Sequence, residues 1–153
     1  MKRYEKYLTK GFGPHLTCDG YGCHAGKLKD MDYIYEFLDG LPTILGMRKI
    51  GKPDVDKVYD DGKVEDYGVS GIVLIMESHI ALHTFPNKGC LFLDIFSCKD
   101  FDVEEAKKYI VEYFKITAPV FKLTQRGDEF PKNIEEAKIL WAQERGGTNV
   151  EKV

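Results

Sequence analysis

Apolar residues follow two different rhythms along this chain. Leu28, Met31, Tyr35, Leu38 and Leu41 recur at helical spacing, which predicts a helix closed by Pro42. Val103, Ala106, Ile110 and Tyr113 repeat that spacing behind the acidic entry Asp102-Val103-Glu104-Glu105, and Ile134 to Trp141 supplies a last helix. The middle of the chain carries strand signal instead. Val69 to Met76 is a continuous apolar run rich in β-branched residues, while Ile80 to Phe85 and Cys90 to Cys98 alternate. Pro86-Asn87-Lys88-Gly89 between the last two is turn chemistry, so they form a hairpin. Gly11 to Cys23 reads as an extended segment ended by glycines, Met47 to Ile50 as a short strand and Val120 to Thr124 as another. Gly51 to Asp66 is polar and acidic, a surface loop, and the tail from Gly146 frays.

Strands in a central block with helices between them predict an α+β two-layer sandwich, an antiparallel β-sheet with helices on one face. In the Cys90–Cys98 strand, Leu91, Leu93 and Ile95 form one face while Phe92 and Phe96 lie on the other. A strand apolar on both faces needs cover on both. Helices cover one; a second sheet from an identical subunit covers the other, which predicts a homodimer with sheets facing across it.

Size and composition narrow the function. At 153 residues the chain is expected to be a single domain, 1–153. Hydrophobic residues at 43% and charged residues at 31% are ordinary for a soluble protein. A net charge of −3 offers no basic footprint for nucleic acid. No apolar run approaches the length of a membrane span, and the basic start lacks the apolar core of a signal peptide. A cytoplasmic location is the resulting expectation. None of Cys18, Cys23, Cys90 and Cys98 forms a C-x-x-C pair or a common zinc framework, and the first three read as small buried side chains.

Against this background, Met76-Glu77-Ser78-His79-Ile80-Ala81-Leu82-His83 stands out, because it sets an acid, a hydroxyl and two imidazoles within the most apolar segment. Burying such groups unpaired costs roughly 2–7 kcal/mol for a hydroxyl or amide. His79 and His83 share a face on a strand, yet no third metal ligand is placed by the sequence, and Glu-Ser-His is not the Gly-x-Ser-x-Gly elbow of a serine hydrolase. Pattern alone leaves two readings open: groups that satisfy one another at a strand bend, or groups that perform chemistry.

Tyr67 to Cys98 resembles the core of the short bacterial and archaeal S-adenosylmethionine decarboxylase proenzymes. The motifs are Gly68-Val69-Ser70-Gly71, Glu77-Ser78-His79, His83-Thr84-Phe85-Pro86 and Asp94-Ile95-Phe96-Ser97-Cys98, in the family's order. His15 to Cys23 also looks like the family's first strand. The resemblance implies a pyruvoyl enzyme that cleaves itself between Glu77 and Ser78. Ser78 would attack the Glu77 carbonyl to form an ester, with Ser70 supporting that step. His83 would act as the processing base that removes the Ser78 Cα proton, leaving a pyruvoyl group at residue 78 as covalent cofactor. That carbonyl would form a Schiff base with the substrate amine and accept the electrons released with CO₂. Cys98 would return a proton to the substrate. No metal is implied, and the active species would be a homodimer of chains cleaved into 1–77 and 78–153.

Two positions depart from the family's adenosyl-binding pattern. Val64 stands where an aromatic is expected and Asn87 where a carboxylate is expected. Losing base stacking removes about 1–3 kcal/mol. The same chemistry on ornithine or arginine is therefore the alternative, with Asp60, Asp61, Glu65 and Asp66 available to a distal cation. A non-cleaving paralogue acting as an interaction or regulatory subunit is the second alternative. It gives no physical reason to keep Glu77, Ser78, His83, Ser70 and Cys98 together.

Overall fold

The computed structural model describes residues 11–59, 67–128, 130 and 133–144. Val64, the acidic positions 60, 61, 65 and 66, and the tail from Gly146 lie outside them. Six strands form one antiparallel sheet: β1 (Gly13–Tyr21), β2 (Asp54–Val58), β3 (Gly68–Ile75), β4 (Ser78–Phe85), β5 (Cys90–Ser97) and β6 (Ala118–Arg126), in the order β2-β3-β4-β5-β1-β6. Helices α1 (Ala25–Leu28), α2 (Met31–Ile44), α3 (Val103–Phe114) and α4 (Ile134–Glu144) complete the elements. This is the α+β arrangement expected.

Alternation assigns each strand residue to a face. Leu16 and Cys18 of β1, Val69, Val73 and Ile75 of β3, Ile80 and Leu82 of β4, and Leu91, Leu93 and Ile95 of β5 are buried in one core cluster. Opposite them in that cluster stand Leu28 of α1, Ile34, Phe37, Leu38 and Leu41 of α2, and Ala106, Ile110 and Phe114 of α3. Burying each large side chain contributes about 1.5–3 kcal/mol. Helices α2 and α3 are tied by exchange between two tyrosines: Tyr113 Oη donates to the Tyr33 carbonyl at 2.9 Å, and Tyr33 Oη donates to the Tyr113 carbonyl.

The helix predicted from Leu28 is in fact broken at Asp30, whose carboxylate accepts from the amides of Asp32 and Tyr33 at 3.0 and 3.2 Å and starts α2 afresh. Pro42 does not close that helix but lies inside its last turn. Closure falls to Gly46, at φ 68°, while the Met47 amide bonds back to the Pro42 carbonyl at 2.8 Å. Met47–Ile50 makes only a single bridge, Lys49 to Ile75, rather than a strand. The segment expected to be loop contains β2, an edge strand whose charged residues hide its alternation. Asp102 caps α3 by accepting from the Glu105 amide at 2.9 Å.

Candidate active site

The face of the sheet away from the helices holds the polar residues singled out above. Ser70 projects from β3, His79 and His83 from β4, and Asp94 from β5, all at positions of the opposite parity to the core. Thr84 points the other way and is buried. Its hydroxyl donates to the Leu28 carbonyl at 2.7 Å and accepts from the Val69 amide at 2.9 Å, stapling α1 to the sheet.

Glu77 and Ser78 lie at the tight turn between β3 and β4 rather than in the interior of a strand. Ser78 has φ 150°, a conformation that residues other than glycine rarely adopt, at a cost of about 1–3 kcal/mol. Three contacts hold it there. The buried Glu77 carboxylate accepts from the Arg48 amide at 3.3 Å and pairs with Lys99 Nζ at 3.7 Å. The Glu77 carbonyl accepts from the Cys98 amide at 2.8 Å. A strained serine thus follows a carbonyl that a fixed N–H already polarises, the geometry that stabilises negative charge developing on that oxygen.

The same Cys98 is exposed, at the end of β5 beside the turn. Gly13 permits this arrangement, because a Cβ there would stand 1.9 Å from the Ser97 carbonyl oxygen and 2.8 Å from Cys98 Cα. The other three cysteines are buried. Burial pushes the Cys18 thiol up to about 12, with Asp19 adding to it, and the Cys23 thiol up to about 11; it also raises that of Cys90. These three are protonated and inert at neutral pH.

Ser70 and His83 sit elsewhere. They are direct neighbours across β3 and β4, with Ser70 Oγ 2.8 Å from His83 Nδ1. His83 is five residues beyond Ser78 on the same strand, which at about 3.4 Å per residue is roughly 17 Å away. They line a cleft of about 370 Å³ together with Asp54, Asp56, Ile72 and Ala81. Two chemical groups therefore stand at opposite ends of β4: Ser78, at the turn and within 3.3 Å of His79 on the open face, with Cys98 beside it, and Ser70 with His83.

The structure adds residues that the sequence reading missed. Asp94 Oδ2 lies 3.1 Å from both His79 Nε2 and His15 Nε2, and Arg126 lies 3.4 Å from His15 Nδ1. His79 Nδ1 is in turn 3.3 Å from Ser78 Oγ. Strand parity was the available signal, since all three share the open face: His15 and His79 stand opposite Phe96 from either side of β5, diagonal to Asp94. Asp54 and Asp56 give no such signal, because the charges of this edge strand mask its alternation.

A family model described as S-adenosylmethionine decarboxylase matches residues 14–127. The chain belongs to this decarboxylase family. An S-adenosylmethionine decarboxylase proenzyme of Pyrococcus horikoshii is 34% identical over 134 residues, covering 87% of this chain and 91% of the relative. A proenzyme of Bacillus velezensis is 30% identical over 131 residues, covering 86% and 94%. The crystal structure of the adenosylmethionine decarboxylase from Aquifex aeolicus VF5 matches with a TM-score of 0.63 at 27% identity, covering 82% of this chain and 99% of that one. The decarboxylase match takes in every strand from β1 to β6 apart from the first residue of β1, and ends before α4. Among the described residues no group of three or more histidine, cysteine or acidic side chains is arranged to hold a metal, and no helix is long and apolar enough to cross a membrane.

Proposed function

We propose that this protein is a self-processing S-adenosylmethionine decarboxylase of polyamine biosynthesis, working in the cytoplasm. The observation that carries the reading is the turn at Glu77–Ser78: a serine at φ 150° behind a carbonyl bonded to the Cys98 amide. Ser78 Oγ attacks that carbonyl, the Glu77–Ser78 amide becomes an ester, and elimination from Ser78 Cα splits the domain into 1–77 and 78–153. Hydrolysis of the dehydroalanine releases ammonia and leaves a ketone at residue 78. Residues around that position fit such a group: the Cys98 amide is an oxyanion donor, and the exposed thiol stands beside it to return a proton. When formed, the pyruvoyl group supplies an electrophilic carbonyl for the substrate amine and a sink for the electrons of the departing carboxylate.

A homodimer completes this site. His83 is the processing base in this reading, with Ser70 as its partner, yet both lie roughly 17 Å along the strand from Ser78. Two copies stacked with their strands reversed bring the Ser70–His83 end of one over the Ser78–Cys98 end of the other. Ile72, Leu74, Phe92 and Val120 are all more than a third exposed on this face and need such cover. Co-expression tests the arrangement. His83→Ala alone stays intact, whereas beside Ser78→Ala copies it should be cleaved, because each mixed dimer regains one complete site. Failure of that complementation removes the shared site.

The cleft at the Ser70–His83 end favours a cationic substrate, since Asp54 and Asp56 both line it. S-adenosylmethionine brings a sulfonium; ornithine and arginine bring a distal ammonium or guanidinium. CO₂ release from the three substrates side by side decides among them, and release from the amino acids alone would replace the adenosyl reading.

A further inference from the structure

The proposed cleavage leaves one step without an agent: something must take the hydroxyl proton as Ser78 attacks. Building on that reading, we propose that His79 is this base and that Asp94 is the positioning residue that fixes its tautomer.

Donor and acceptor chemistry fixes which tautomer each neutral imidazole of the network takes. Arg126 can only donate, so its contact at 3.4 Å requires a lone pair on His15 Nδ1. The proton of neutral His15 is then on Nε2, which donates to Asp94 Oδ2 at 3.1 Å. Asp94 is a carboxylate and only accepts, so His79 likewise presents Nε2–H to the same oxygen at 3.1 Å. In the neutral imidazole His79 Nδ1 then carries the lone pair, 3.3 Å from Ser78 Oγ. Serine, imidazole and carboxylate stand in the order of a Ser-His-Asp triad, which activates a hydroxyl for attack on a carbonyl. Phe96 holds the set in place, with the rings of His15 and His79 at 5.4 and 5.8 Å and the Arg126 guanidinium 4.2 Å above its ring centroid. His83 is not available for this step within its own chain, being hydrogen-bonded to Ser70 at the far end of the strand.

The step balances. The Ser78 Oγ proton passes to His79 Nδ1 as the Oγ–C bond to Glu77 forms, and the carbonyl oxygen takes up negative charge against the Cys98 N–H. Asp94 stabilises the transient imidazolium. Collapse breaks the C–N bond, and His79 returns the proton to the Ser78 nitrogen, leaving an ester and a free amine. His79 ends neutral, ready for the partner histidine to begin elimination.

The test separates ester formation from elimination. In His83→Ala, where elimination is blocked, hydroxylamine traps the ester and cuts the chain after Glu77. Adding His79→Gln should slow the appearance of hydroxylamine-sensitive chain by about 100-fold or more. In His79→Ala, added imidazole should restore part of the rate, which a lost fold would not allow. Asp94→Asn should slow it about tenfold alone and no further on top of His79→Gln, as for two residues acting as one unit. An unchanged rate without His79, or Asp94 and His79 effects that multiply independently, overturns the assignment. If His83→Ala itself never becomes sensitive, there is no ester, and the cleavage reading falls along with it.

Discussion

The two faces of the sheet are built from the same strands and have opposite characters. On β4, Ile80, Leu82 and Thr84 turn toward the helices and are buried, while His79, Ala81, His83 and Phe85 turn away and remain at least partly open. The helix face is finished: its apolar groups are covered, and the polar side chains buried among them, Thr84 and Ser97, are hydrogen-bonded. On the open face Phe92, Ile72 and Leu74 remain exposed while His15, His79 and Asp94 pair with one another. Stability and chemistry are thus separated by a one-residue alternation. A slip of one residue in register would exchange them.

Substitutions that respect this division should have separable effects. Ser78→Ala is the most severe on the open face: the chain should persist as one 17.5 kDa species on denaturing electrophoresis, while its melting curve stays close to wild type. Any fragment at the size of 1–77 would break the assignment. Cys98→Ala should still be cleaved but lose about 100-fold or more in turnover, measured as CO₂ release per pyruvoyl group. Normal turnover would remove the thiol from the mechanism. On the helix face, Phe37→Ala should cost about 3–5 kcal/mol in urea denaturation, because Phe37 is fully buried among Tyr109, Tyr113 and Phe114. The folded fraction should still process itself. Asp102→Ala should have the smallest effect, about 1 kcal/mol of stability from the lost cap on α3, with no change in cleavage products.

The sheet was legible because its strands alternate cleanly; Leu91, Leu93 and Ile95 declare their shared face by spacing alone. Helix boundaries were less so. Pro42 looked like a stop because proline lacks a donor, but a glycine at positive φ four residues later sets the true end. β2 was hidden because an edge strand carries charges that read as loop. The candidate site was legible as a set of residues and not as an arrangement. Motif order picked out Glu77, Ser78, Ser70, His83 and Cys98, but spacing along a strand does not say which of them meet. The network through His15 and Arg126 needed the pairing of β1 with β5 and β6, contacts between residues 79 and 111 positions apart.

The strand order carries a consequence for the proposed cleavage. A break at the β3–β4 turn assigns β1, β2 and β3 to one piece and β4, β5 and β6 to the other, yet β1 is lodged between β5 and β6. The fragments are braided together, so neither can depart without peeling a central strand out of its ladders on both sides. Assembly must therefore come before the break, and a matured molecule that is once denatured has to find its partner piece again from solution.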